Sequence, residues 1–143
     1  MQVTDFGISK VQTDTMMSQT SAGVGTVPYM APELLDDSKY TEKVDVYAFA
    51  MVIFETLSCD WPWRGVSQGQ IISRVMVKAE RPPLPPAAEA AIDQAGPRSP
   101  EQQLRALMYR CWAQEGGERP PFTEVAQQLE AIGKRIEASG EVL

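Results

Sequence analysis

The run VDVYAFAMVIFETL at residues 44–57 constrains this chain more than any other stretch. Residues 46–54 carry no charge and no helix breaker, and their apolar side chains fall at every helical angle. A helix that is apolar all round must be enclosed by other elements. It is too short to cross a bilayer, which takes roughly 20 apolar residues. The expected structure is a buried central helix of a soluble domain. Asp45, at its front, is costly to bury unless donors meet it. The N–H groups and macrodipole of the helix N-terminus favour a carboxylate there, or the side chain is aimed at another segment's backbone.

The enclosing elements are also expected to be helical. Pro32 and Glu33 suit a first helical turn, with a short helix to about Asp37. Thr41 is the N-cap candidate for the central helix. Ser67 caps a third helix with Ile71, Ile72, Val75, Met76 and Ala79 on one face. Residues 81–100 are rich in Pro and Ala and are expected to form a surface loop. Within them, residues 81–86 form a rigid inter-helix connector or a polyproline ligand. Ser99, Pro100 and Gln102 form a capping-box pattern. It opens a helix with Leu104, Leu107, Met108, Cys111 and Trp112 on one face. A last helix follows Pro121, with Phe122, Val125, Leu129, Ile132 and Ile136 in phase. Trp61, Trp63 and Trp112 read as core or anchor aromatics, with docking as a secondary role. No internal repeat is visible. The fold class is mainly α.

Composition removes several functions. Among 143 residues the net charge is −6 and no basic block stands out, which disfavours nucleic acid and charged membrane surfaces as partners. There is no histidine, so Ser–His and Cys–His nucleophile pairs and most zinc sites are excluded. Cys59 and Cys111 have no metal or redox spacing and read as reduced core residues of an intracellular protein. With no signal-peptide pattern and no spanning segment, the expected location is cytoplasmic.

The chemistry lies in an ordered set of short motifs. Asp5-Phe6-Gly7 comes first, followed by a polar Ser/Thr-rich loop at residues 9–26. GTVPYMAPE follows, then the helix opened by Asp45, then CWAQEGGERPPF at residues 111–122. Each tripeptide alone is weak, but together and in this order they resemble the protein-kinase family. The resemblance runs from the metal-binding Asp-Phe-Gly to the end of the domain. It covers residues 3–136 as a partial kinase domain, with 137–143 as a tail. Tyr29, where tyrosine-directed kinases carry tryptophan, points to the tyrosine-kinase-like group of Ser/Thr kinases.

The resemblance implies a role for each residue. Asp5 would be a Mg²⁺ ligand, as carboxylate oxygens suit that ion; otherwise it is an ordinary turn aspartate. Phe6 and Gly7 would report and permit the active state. Thr13, Thr15, Ser18, Thr20 and Ser21 are candidate phosphosites, where added charge of about −1.5 to −2 would order a loop that is otherwise solvated. Thr26, Val27, Pro28, Tyr29 and Met30 would form the wall that receives the substrate residue, with Thr26 contacting the catalytic aspartate. Glu33 and Arg119 would form an internal ion pair rather than two unrelated surface charges. Asp45 would hold the catalytic-loop backbone.

Other parts of the family pattern have no counterpart in these residues. They are the Gly-rich phosphate loop, the strand lysine with its glutamate, and the His-Arg-Asp catalytic loop with its proton-accepting aspartate and metal-binding asparagine. The resemblance therefore implies the distal, C-terminal lobe of a Ser/Thr protein kinase without its β-lobe. The parent would use ATP and Mg²⁺ on a protein substrate. This chain alone would bind neither tightly and would be inactive. The alternative is a truncated, pseudokinase-like module whose helical lobe binds a partner. Ala50 stands where the family has glycine, and Pro121 where it has a Ser/Thr cap. With its usual neighbours missing, the central helix is expected to leave a large apolar patch exposed and the chain marginally stable.

Overall fold

The computed structural model describes residues 27–36 and 38–139. Among them are six α-helices and two single-turn 3-10 segments. The helices are α1 (Pro32–Leu35), α2 (Lys43–Ser58), α3 (Gln68–Val77), α4 (Pro86–Gln94), α5 (Pro100–Cys111) and α6 (Phe122–Ser139). The 3-10 turns are Val27–Tyr29 and Gly116–Glu118. The architecture among the described residues is mainly α, as expected from the helical periodicities.

The core is built around α2. Val44, Val46, Tyr47, Ala50, Met51, Ile53 and Phe54 are all buried on it. Its principal neighbour is α5, which contributes Leu104, Leu107, Met108 and Cys111. Val125 and Ile132 of α6 close the same cluster. Helix α2 starts one residue later than a Thr41 cap would have it, with Glu42 at the N-cap and no side-chain cap bond from it. The Thr41 hydroxyl instead accepts the Lys43 amide at 3.3 Å. The helix ends at Cys59, which is exposed and no core residue, unlike Cys111. Its backbone is left-handed (φ 51°), a conformation that usually selects Gly or Asn.

The expected exposed apolar patch on α2 is not there. Within residues 46–54 only Val52 is exposed, because helices of this same chain wrap the rest. Ala50 is fully buried, so its methyl is accommodated.

Several expectations about the enclosing helices need correction. Residues 81–100 are not all loop, because α4 occupies Pro86–Gln94. The prolines crowd the front of that stretch, where residues 81–85 run without helix, and Pro86 takes the first helical position. The alanines behind it are strong helix formers, and Ile92 anchors them in the core at 3% exposure. On α3, Ile71 and Val75 are buried and Ser67 caps Gln70, but Ala79 lies beyond the helix, exposed and with φ 52°. At α5 the Ser99 hydroxyl accepts the Gln102 amide. The Gln102 side chain does not return the bond; it reaches Ile92 O and Asp93 instead. Trp63 and Trp112 are buried, whereas Trp61 is 77% exposed and is no core residue. Phe122 is 42% exposed and meets Phe49 edge-on at 6.0 Å. Pro121 provides no side-chain cap, but its carbonyl accepts the Glu124 and Val125 amides that open α6.

Candidate functional site

Asp5, Phe6, Gly7, Thr13, Thr15, Ser18, Thr20, Ser21 and Thr26 lie outside the described residues. Val27, Pro28, Tyr29, Glu33, Asp45 and Arg119 lie within them.

Val27–Tyr29 is a 3-10 turn closed by the Met30 amide on Val27 O at 3.1 Å. Ala31 is then extended (ψ 152°), as the residue before a proline must be, and Pro32 starts α1. Two neighbours fix the turn. Val27 joins Leu35 and Val66 around the buried Trp63, Ile71 and Val75. Tyr29 donates its hydroxyl to Glu55 Oε1 on α2. That bond, with lesser contributions from desolvation and the Glu55 charge, pushes the Tyr29 hydroxyl up to about 12. An open groove of about 690 Å³ runs from Pro28 along the loop after α2, past Cys59, Trp61 and Arg64.

Glu33 and Arg119 meet face to face. Arg119 Nη1 donates to Glu33 Oε1 at 2.6 Å and Nη2 to Oε2 at 2.9 Å. The remaining donors reach backbone carbonyls: Nε to Ala113 O, Nη1 to Lys43 O and Nη2 to Gln114 O. All five N–H groups of the guanidinium are thereby used, which is what a cation with no exposed side-chain surface requires. Lys43 Nζ returns a bond to Arg119 O at 2.7 Å.

Three participants carry no motif that would single them out. Tyr47 lies fully buried with both the Arg119 and the Arg81 guanidinium 5.1 Å from its ring centre. Desolvation pushes its hydroxyl up to about 12 despite the two nearby cations, and that hydroxyl has no hydrogen-bond partner among the described residues. Arg81 donates to Trp112 O, Glu80 O and Gln114 Oε1. Gln114 bonds in turn to Val75 O. A buried tyrosine inside an otherwise apolar helix was the one available hint that cations gather there.

Asp45 is placed differently from expectation. It is an exposed residue in the first turn of α2, not a buried carboxylate. Partial desolvation and the like charge of Glu42 hold its carboxyl above the ordinary value. The N-terminal dipole does not win here. Among the described residues no group of three or more Cys, Asp or Glu could hold a metal ion, and no helix is long and apolar enough to cross a membrane.

Comparison with known proteins converges on one family. The family model for protein tyrosine and serine/threonine kinases matches residues 1–129. The chain is 34% identical to serine/threonine/tyrosine-protein kinase HT1 of Arabidopsis thaliana, over 91% of this chain and 30% of that protein. It is 31% identical to serine/threonine-protein kinase CTR1 of the same plant, over 94% of this chain and 15% of that protein. A probable serine/threonine-protein kinase of Dictyostelium discoideum is 35% identical over 92% of this chain and 13% of its own length. The chain thus spans less than a third of each of these curated relatives.

Proposed function

Because the chain belongs to the protein tyrosine and serine/threonine kinase family, we propose that it is the distal helical part of a Ser/Thr kinase domain. On this reading the parent domain moves the γ-phosphoryl of MgATP to a Ser or Thr hydroxyl of a protein substrate, in the cytoplasm. It belongs to the tyrosine-kinase-like group. The 143 residues alone do not perform the transfer, because nothing in them corresponds to the Gly-rich loop, the strand lysine or the catalytic loop.

The observation that carries this reading is the family match over residues 1–129, which takes in every motif from Asp5 to Arg119. Asp5 is the Mg²⁺ ligand and neutralises charge on the phosphates when metal and ATP are bound. Phe6 and Gly7 set whether that carboxylate is in place. One or more of Thr13, Thr15, Ser18, Thr20 and Ser21 takes phosphate and orders the loop. Thr26, Val27, Pro28 and Tyr29 receive the substrate residue. The fixed position of the Val27–Tyr29 turn against α2 and α3 supports that role. Glu33 and Arg119 hold the end of this segment to the helical lobe. Asp45, exposed at the head of α2, is available to a catalytic-loop backbone.

The alternative, a partner-binding module without catalysis, draws on the outward-standing Trp61 beside the groove. One experiment separates the two. The native protein is isolated from its source cells and assayed with MgATP and a generic protein substrate, next to the 143-residue chain. Ser/Thr phosphorylation by the native protein, lost in Asp5→Asn, and none by the 143-residue chain, is the expected result. No transfer by the native protein favours the module. Turnover by the 143-residue chain that Asp5→Asn abolishes overturns the claim of inactivity.

A further inference from the structure

The Val27–Tyr29 turn rests on two supports that are remote in sequence. One is α1, held to the lobe by Glu33 on Arg119. The other is α3, whose Ile71 and Val75 carry Val27 and Leu35. A single residue bonds to α3 and to the arginine that holds α1. The Gln114 carbonyl accepts Arg119 Nη2 at 3.2 Å, and its side-chain Nε2 donates to Val75 O at 3.3 Å. Its Oε1 accepts Arg81 Nη2 at 2.8 Å.

We infer that Gln114 is a positioning residue that locks the α1 and α3 supports of the Val27–Tyr29 turn to each other. This rests on the reading of that turn as the substrate-receiving wall.

The chemistry requires an amide. Helix α3 ends at Val77, so Val75 O lies among the last carbonyls that have no partner inside the helix. The Gln114 NH₂ meets that need while its carbonyl oxygen meets Arg81. Arg81 is itself fixed, because its Nε and Nη1 are committed to Trp112 O and Glu80 O and its guanidinium lies over Tyr47. The amide orientation is therefore determined by its partners: a cation on one side and a carbonyl on the other admit only one assignment. Residues 112–114 are thus gripped by Arg81 through Trp112 and Gln114, and by Arg119 through Ala113 and Gln114. Displacing the Gln114 side chain frees α3 from this grip and takes the α3 support from Val27 and Leu35, while Glu33 stays on Arg119.

The test is hydrogen exchange on the 143-residue protein carrying Gln114→Glu. Glutamate keeps the acceptor for Arg81 but turns an oxygen towards Val75 O. The exchange of peptides spanning residues 27–35 and 71–77 is expected to rise about fivefold or more, while α5 and α6 peptides hold their rates, as a local opening requires. Leu129→Ala on α6 serves as the control for general loosening. Gln114→Met, which preserves length without either hydrogen bond, repeats the measurement should the charged variant not fold. Unchanged exchange at residues 27–35, or a rise matched in α6, overturns the inference. The same substitution in the native protein decides the reading beneath it. A raised KM for protein substrate with kcat unchanged supports the turn as the substrate wall. Local exchange without any change in KM leaves the lock standing and removes that role from the turn.

Discussion

Glu33 and Arg119 stand 86 residues apart in the chain, yet their side chains meet in two parallel hydrogen bonds of 2.6 and 2.9 Å. Arg119 is the buried charged residue of the described core, at 2% exposure. Removing its carboxylate strands a cation that has only three backbone carbonyls left. Glu33→Ala is expected to cost about 3 kcal/mol, the low end for a broken buried pair, because those carbonyls remain. Arg119→Lys should cost a similar amount, since an ammonium cannot reproduce the fork. Urea unfolding of the purified variants measures both, and a loss for Glu33→Ala well under 1 kcal/mol would contradict the account.

That pair marks the limit of what residue patterns alone could show. The burial of α2 was legible, since a helix without a polar stripe leaves no face for solvent. So was the Ser67 cap, a local bond spanning three residues. Helix α4 was hidden, because the prolines that open it read as loop and drew attention from the alanines behind them. Trp61 and Trp63 are two residues apart in one turn, and no periodicity says which faces inward. Trp63 turns inward onto Ile71 and Val75 of α3, a contact between separate segments. Arg81, Gln114 and Tyr47 converge from three separate segments, and neither spacing nor motif announces such a meeting.

Asp45 supplies a pH test. Its carboxyl has a folded pKa above the ordinary value, owing to desolvation first and Glu42 second. The folded state therefore holds that proton more tightly than the unfolded state. Stability contributed at low pH is lost as pH rises through the folded pKa. Asp45→Asn should raise the unfolding midpoint at pH 7, and the gain should vanish near pH 3. An equal or greater gain at pH 3 would show that charge is not the cause.

Tyr29 and Tyr47 act at the other end of the scale. Both hydroxyls are pushed up to about 12, Tyr29 mainly by its bond to Glu55 and Tyr47 by burial. Each contributes stability that is complete below pH 10 and is lost as pH rises towards 12, because the unfolded tyrosines ionise first. Absorbance titration of the folded protein should show Tyr29 and Tyr47 ionising late. Tyr29→Phe should remove one of the late steps and flatten part of the alkaline fall in stability. A wild-type titration in which all tyrosines ionise near pH 10 would refute this.

Gly133 lies within α6, and a Cβ built there meets nothing within 4 Å. Alanine at this position should fit without contact and lower the entropy lost on folding. Gly133→Ala is expected to stabilise the chain by roughly 0.5–1 kcal/mol. Thermal unfolding should show a midpoint higher by a few degrees, and a fall would mean that α6 is closer to a neighbour than its geometry indicates.

The two cysteines should differ sharply in reactivity. Cys59 is exposed, whereas Cys111 is buried against α2 and α6, and burial pushes its thiol up to about 11. Since the thiolate is the reacting species, Cys111 is both shielded and almost wholly protonated at pH 8. A colorimetric thiol reagent should therefore titrate one group per native chain within minutes, and Cys59→Ser should abolish that signal. Full denaturation should release the second. Because Cys111 sits between the central helix and its main neighbours, its reaction rate reports the opening of the whole core and not local fraying. Glu33→Ala, which weakens the fold globally, should then accelerate Cys111 labelling while leaving the Cys59 rate unchanged. Acceleration of Cys59 alone would place the loosening in the loop after α2 instead of in the core.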